Sequence, residues 1–144
     1  MDALTALEDR IHVLSDMEGR QGTLRVLIVD DSAAVRRGLT RLLQSQADVE
    51  IIGESSDGQD AIRKALRDRP DVVLIDVSMP IMNGLDAARK IKHDLPSTVI
   101  LMVTQFESVS FAREAVSAGA AAYILKSDAT KELIPALRKI QSSR

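Results

Sequence analysis

Val72-Val73-Leu74-Ile75-Asp76 runs directly into Val77-Ser78-Met79-Pro80-Ile81-Met82-Asn83-Gly84. Four consecutive apolar residues, three of them β-branched, follow Pro70-Asp71 and are closed by a Pro/Asn-Gly turn. Such a run is too short for a core helix and reads as a strand buried on both faces. Asp76 therefore sits where a buried strand surfaces. In an open parallel α/β sheet the ligand crevice lies just beyond the carboxyl ends of the strands, so a reactive group is wanted at this position. A lone strand-end aspartate more commonly caps a turn. What decides between the two is the chemistry that other apolar runs deliver to the same edge.

Outward toward the N-terminus, Val26-Leu27-Ile28-Val29 leads into Asp30-Asp31, and Ser32 caps a helical stretch with Val35, Leu39, Leu42 and Leu43 on its apolar side. Val49-Glu50-Ile51-Ile52-Gly53 is a second short strand. A Ser55-Ser56-Asp57-Gly58 loop and a helix through Ala61, Ile62, Ala65 and Leu66 follow, ended by Arg69-Pro70-Asp71. Outward toward the C-terminus, a helix carries Leu85, Ala88 and Ile91 and stops before Pro96. Val99-Ile100-Leu101-Met102-Val103 is a strand ending in Thr104, and a helix over about 107–118 closes at Gly119. Ala121-Ala122-Tyr123-Ile124-Leu125 ends in Lys126, and a last helix over roughly 129–141 turns Leu133, Ile134, Leu137 and Ile140 inward. Pro135 falls past the first turn of that helix if Thr130 caps it, where it removes a hydrogen bond and should kink the helix. Strand and helix alternate five times, the signature of a parallel sheet with helices on both faces.

The chain of 144 residues has room for one domain with a real core and a short appendage. Two Phe, one Tyr and no Trp make the core aliphatic and argue against a base-stacking surface, and a net charge of -2 gives no pull toward polyanions, so no nucleic acid is expected as a ligand. The absence of Cys excludes disulfides, thiolate zinc sites and a cysteine nucleophile. No apolar run approaches the roughly 18 residues of a membrane span and none resembles a signal peptide, so no membrane association and a cytoplasmic location are expected. Residues 1–23 stand apart as an N-terminal extension, with residues 24–144 forming the domain. Leu4, Leu7, Ile11 and Leu14 line one side of a short helix. That stripe is open to docking on the domain, pairing with a second copy as a homodimer, or fraying; a start at Met17 would leave the first sixteen residues without a role.

Four strands finish in polar groups: Asp30-Asp31, Asp76, Thr104 and Lys126. Chance placement of three carboxylates, a hydroxyl and an ammonium at corresponding positions is improbable, which removes most of the weight from a turn-capping Asp76. Three converging carboxylates repel one another unless a cation joins them. Mg²⁺ takes oxygen ligands and is typically held by one or two carboxylates plus phosphate oxygens. A carboxylate is also a nucleophile toward phosphorus, and Mg²⁺, Lys126 and the Thr104 hydroxyl are suited to neutralising a transferring phosphoryl group.

In Val29-Asp30-Asp31-Ser32, Asp76 through Gly84, Thr104 and Tyr123-Ile124-Leu125-Lys126, the chain resembles a response-regulator receiver domain of two-component signalling over about residues 24–142. Val35-Arg36-Arg37-Gly38-Leu39 and Ser56-Asp57-Gly58 resemble the NarL/LuxR-like subclass, whose receivers usually precede a helix-turn-helix output domain. The resemblance implies a flavodoxin-like, doubly wound sheet of order 2-1-3-4-5. It implies that Asp76 accepts a phosphoryl group from the phosphohistidine of a sensor histidine kinase or a phosphotransfer protein. Asp31 and Asp76 would bind Mg²⁺ through their side chains, Ser78 through its backbone carbonyl and Asp30 mainly through water, while Lys126 and Thr104 would contact the phosphoryl oxygens. Thr104 would move inward and Tyr123 swing after it, altering a partner or output surface over 107–141. Such a chain is a phosphoacceptor that assists its own phosphorylation and dephosphorylation rather than an enzyme. For Tyr123 a half-buried edge-strand aromatic with a solvated hydroxyl is an equal reading.

Ser127 departs from the family, which most often has a cis-proline after the lysine. A non-proline cis bond costs about 3–4 kcal/mol, so the Lys126–Ser127 bond need not follow the family's geometry. His12, His93 and the arginines Arg36, Arg37 and Arg41 read as solvated helix residues. A flavodoxin-like cofactor binder would want a Ser/Thr-rich phosphate loop and aromatics, and a haloacid-dehalogenase-type phosphatase a second Asp at position 78. Both are disfavoured. Ser142-Ser143-Arg144 follows the last helix with no room for a DNA-binding module, which leaves a stand-alone receiver or the excised receiver of a transcriptional regulator.

Overall fold

The computed structural model describes residues 22–144, so the stripe expected over Leu4–Leu14, and His12 with it, lies outside the described residues. Five strands, β1 (Leu24–Val29), β2 (Val49–Ser55), β3 (Val72–Ile75), β4 (Val99–Thr104) and β5 (Ala120–Leu125), form one parallel sheet in the order β2-β1-β3-β4-β5. Between and after them run α1 (Ala33–Gln44), α2 (Gly58–Asp68), α3 (Gly84–Asp94), α4 (Val109–Ser117) and α5 (Ala129–Ser142).

The β3 run, apolar without interruption, lies at the centre of the sheet with every residue buried. Side chains alternate between the faces. Leu27, Val29, Val73, Ile75 and Met102 meet Ala61 and Ala65 of α2, Ala88 and Ile91 of α3 and Ala115 of α4. Val26, Ile28, Val72, Leu74 and Leu101 meet Leu39 and Leu43 of α1 and Leu133 and Leu137 of α5. Each large aliphatic side chain so buried contributes about 1.5–3 kcal/mol before the cost of ordering it.

The caps Ser32, Asp57, Asn83 and Ser108 each accept a hydrogen bond from the backbone N–H three residues on. The Ser108 cap starts α4 at Val109, two residues later than the apolar periodicity suggested. α5 is different. A single 3₁₀ turn, Lys126–Asp128, passes directly into it, so Thr130 is its second residue and not its cap, and Pro135 lies well inside a helix that continues to Ser142. No helix among the described residues is long and apolar enough to cross a membrane.

Candidate functional site

The parallel register sets Val29 beside Ile75, so the residues that follow, Asp30 and Asp76, emerge at the same level of the sheet. Asp30, Asp31 and Asp76 each offer a carboxylate oxygen, and these oxygens lie within 4.8 Å of one another. Asp30 and Asp76 are only 1% and 4% exposed, whereas Asp31 faces solvent. Thr104, paired with Leu125 across β4 and β5, is fully buried, and the next residue, Lys126, leaves the sheet there. Its Nζ stands 2.8 Å from Asp30 Oδ2 and 3.2 Å from Asp76 Oδ2. The ammonium thus bridges two of the carboxylates and relieves part of the repulsion expected among the three. The peptide bond between Lys126 and Ser127 is trans, and the 3₁₀ turn beyond it still delivers the side chain to both acids.

Burial pushes the Asp76 carboxyl above its ordinary value; Lys126 pulls it back and the charge of Asp30 pushes it further up, and the net shift is upward. For Lys126 burial works against the charge, but its hydrogen bond to Asp30 and the charges of Asp76 and Asp30 outweigh it, so the ammonium is held more firmly than usual. Asp76 Oδ2 has Lys126. Asp76 Oδ1 is buried with no hydrogen-bond partner. A buried carboxylate oxygen left unpaired is costly, and its place beside two further acids suits a hard divalent cation with oxygen ligands. The donor set therefore fits Mg²⁺. Ser78, two residues on, lies exposed in the loop above.

Two supports of this edge escaped the sequence reading. Arg36 is half-buried rather than solvated: Nη1 donates to the Asp30 carbonyl at 2.6 Å and Nε to Glu54 at 3.2 Å. With the Ser32 N–H donating to Asp30 Oδ1 at 2.8 Å, both the backbone and the side chain of Asp30 are held. The available signal was position, because residue 36 sits one helical turn above the Ser32 cap; nothing in the chain marked Glu54 as its partner. Gly84, read only as part of a turn, is the first residue of α3. A Cβ there would lie 1.7 Å from the carbonyl oxygen of Asp76 and 2.7 Å from its carbon.

Between them Ile81 has φ 70° and is 73% exposed, and the Met82 N–H donates to the Pro80 carbonyl at 2.7 Å. This is a γ-turn of the rare positive-φ kind, centred on a β-branched residue.

On the other side of the site the Phe106 N–H donates to Thr104 Oγ1 at 3.3 Å, and the Tyr123 hydroxyl donates to the Phe106 carbonyl. Tyr123 is half-buried and its hydroxyl is bonded to protein, not left to solvent as the edge-strand reading had it. The Phe106 ring meets Phe111 of α4 edge-on, with centroids 5.5 Å apart.

Residues 26–138 match the family model described as the response regulator receiver domain. The chain is 41% identical over 117 residues to the response regulator protein VraR of Staphylococcus aureus, covering 81% of this chain and 56% of that one. It is 40% identical over 115 residues to an uncharacterized transcriptional regulatory protein, YxjL, of Bacillus subtilis, covering 80% and 53%. Among solved structures, a LuxR-family two-component response regulator from Aurantimonas sp. SI85-9A1 superposes with a TM-score of 0.80 at 33% identity, over 85% of this chain and 87% of the other. The chain spans about half the length of these curated relatives.

Proposed function

The chain belongs to the response-regulator receiver family of two-component signalling, with LuxR/NarL-like relatives, and from that premise we propose that Asp76 is its phosphoacceptor. The observation that carries the proposal is the buried, unpartnered Asp76 Oδ1 between a bridging lysine and two further acids. A carboxylate oxygen of Asp76 attacks phosphorus as the bond to the donor's imidazole nitrogen breaks, and that nitrogen keeps the electron pair. Lys126 and the Thr104 hydroxyl take the phosphoryl oxygens. The family typically binds Mg²⁺ at an acidic pocket, and here Asp31 and Asp76 would hold it through side chains, Ser78 through its carbonyl and Asp30 through water. Bound there, it supplies charge neutralisation for the carboxylates and the transferring oxygens.

The donor is a sensor histidine kinase or phosphotransfer protein in the cytoplasm. Phosphorylation draws Thr104 toward the phosphoryl group, which loosens the Thr104–Phe106–Tyr123 chain of hydrogen bonds and alters the surface over 107–141. The chain is a signalling module that assists its own phosphorylation and dephosphorylation. A second reading, the receiver part of a DNA-binding regulator, is favoured by the relative described as a transcriptional regulatory protein.

Incubation with acetyl phosphate and Mg²⁺ is expected to add one phosphoryl group by intact mass, and EDTA to prevent it; an adduct indifferent to EDTA would count against the metal. Mg²⁺ at a hundredfold excess over its Kd should stabilise the wild type by about 2.7 kcal/mol and Asp76→Asn by less. Equal melting shifts in the two proteins would mean that Asp76 is no ligand.

Phe106 lies two residues after Thr104, where in the family the side chain flanks the path of the hydrolytic water. A phenyl ring cannot orient that water. Phe106→Glu is expected to shorten the phospho-Asp76 lifetime about tenfold, or roughly 1.4 kcal/mol of barrier. Decay in Mg²⁺ at the wild-type rate would show that the ring only packs on Phe111.

A further inference from the structure

Beside the acids, α1, β2 and α2 meet around a polar hollow lined by Arg36, Glu54, Ser55, Ser56, Asp60 and Lys64. Its charges are already matched: Arg36 Nε stands 3.2 Å from Glu54 Oε1, and Lys64 Nζ 3.0 Å from Asp60 Oδ2. Two cations paired with two acids leave no net charge for a ligand, so the hollow reads as a support built into the fold. What it supports is the backbone of Asp30. Arg36 Nη1 donates to the Asp30 carbonyl at 2.6 Å, while the Asp30 N–H donates to the Ser55 carbonyl at 3.0 Å. Ser55 is itself buried and anchored, its hydroxyl donating to Asp60 Oδ2 at 2.8 Å.

The Asp30 carbonyl belongs to the peptide that joins Asp30 to Asp31. That unit is planar, so fixing the carbonyl fixes the plane from which Asp31 departs. Asp31 depends on it. Its carboxylate is exposed and makes no hydrogen bond or ion pair with another described residue, whereas Asp30 and Asp76 are both held by Lys126. Of the three acids it is the one whose direction is set by the backbone alone. A guanidinium suits the task because its planar fork carries donors in fixed relation, here aimed at Glu54 and at the carbonyl together.

We propose that Arg36, aimed by Glu54, is a positioning residue for the metal: it holds the Asp30–Asp31 peptide so that the Asp31 carboxylate faces the cation it shares with Asp76. This rests on the reading that Asp31 and Asp76 bind Mg²⁺. Positioning and charge predict opposite signs. Removing a cation beside three acids would, by Coulomb attraction alone, tighten Mg²⁺ binding. Removing the hold on Asp31 weakens it.

Calorimetric titration of Mg²⁺ into the metal-free full chain reads the difference. Arg36→Met, which keeps the apolar stem and removes the side-chain donors, should weaken Mg²⁺ binding about tenfold, the low end for losing a group that orients metal ligands. Glu54→Ala should weaken it by less and, combined with Arg36→Met, add nothing, because Glu54 acts through the guanidinium. An Arg36→Met affinity equal to or tighter than wild type would overturn the proposal, and so would a lowered urea midpoint with Kd unchanged, the mark of a merely structural role. Losses that add in the double variant would overturn it too, by showing that Glu54 acts through its own charge. The Glu54 side chain is half in water, so Glu54→Ala keeps the test open should Arg36→Met fail to fold, and wild-type affinity there counts against the proposal. Mg²⁺ binding absent from the wild type, or undiminished in Asp76→Asn, would overturn the metal reading itself; binding weakened in Asp76→Asn but not in Arg36→Met overturns this proposal alone.

Discussion

Asp76→Asn is expected to abolish phosphorylation by acetyl phosphate and at the same time to make the metal-free protein more stable at pH 7. The first half follows from chemistry, since an amide oxygen is no nucleophile toward phosphorus under these conditions and Asp30 and Asp31 are not substitutes: Asp30 is tied to Lys126 and the Ser32 N–H, and Asp31 faces solvent. The second half follows from linkage. The folded-state carboxyl of Asp76 lies above its ordinary value, chiefly through burial, so the folded chain takes up a proton there more readily than the unfolded one. That favours folding at low pH and is lost as pH rises through the folded value, leaving a penalty at pH 7 which an amide does not incur. Intact mass after acetyl phosphate treatment and a pH series of urea melts read both halves. A retained adduct would exclude Asp76 as the acceptor, and an Asn variant less stable at pH 7 would mean that the Lys126 attraction outweighs burial.

Gly84→Ala is expected to cost about 3 kcal/mol, the upper end for overpacking, and to lower Tm by about 10 °C in a domain of this size. The added carbon would meet backbone, the carbonyl of Asp76, and no flexible side chain stands there to give way. Either α3 retreats, losing the 2.8 Å bond from the Gly84 N–H to the Val77 carbonyl, or the strand end carrying Asp76 shifts. Phosphorylation should slow in either case. Gly38→Ala is the contrast, because a Cβ in that exposed turn of α1 meets nothing within 4 Å and should add about 0.5–1 kcal/mol. Parallel urea melts of the two variants test the pair, and a Gly84→Ala protein as stable as wild type would show that the loop absorbs the methyl freely.

What the chain made legible was whatever periodicity and strand ends express. The five apolar runs became the five strands, and Asp30, Asp31, Asp76, Thr104 and Lys126 gather at one edge because parallel strands in register surface together. Arg36 was not legible, since an arginine on a polar helix face looks the same whether its guanidinium meets water or the Asp30 carbonyl. The role of Gly84 was hidden for a related reason: Asn-Gly suits a turn and a helix start equally, and only the approach of α3 to Asp76 separates them. The Tyr123–Phe106 bond depends on a loop conformation that no local pattern encodes.

The γ-turn at Ile81 bears on how the loop is kept in place. An isoleucine with φ 70° and most of its surface in water gains little burial in return for a strain of about 1–3 kcal/mol. Left to itself, the segment would relax. Its neighbour Asn83 caps α3 by accepting from the Asp86 N–H at 2.9 Å, a contact of about 1 kcal/mol, and two residues after Ile81 the chain is therefore clamped. The loop above Asp76 is held over that strain by Met79 and Met82 packed on the core as well as by the Asn83 cap. A change at any of these three side chains therefore alters how openly the edge of the sheet is covered without touching the acids themselves.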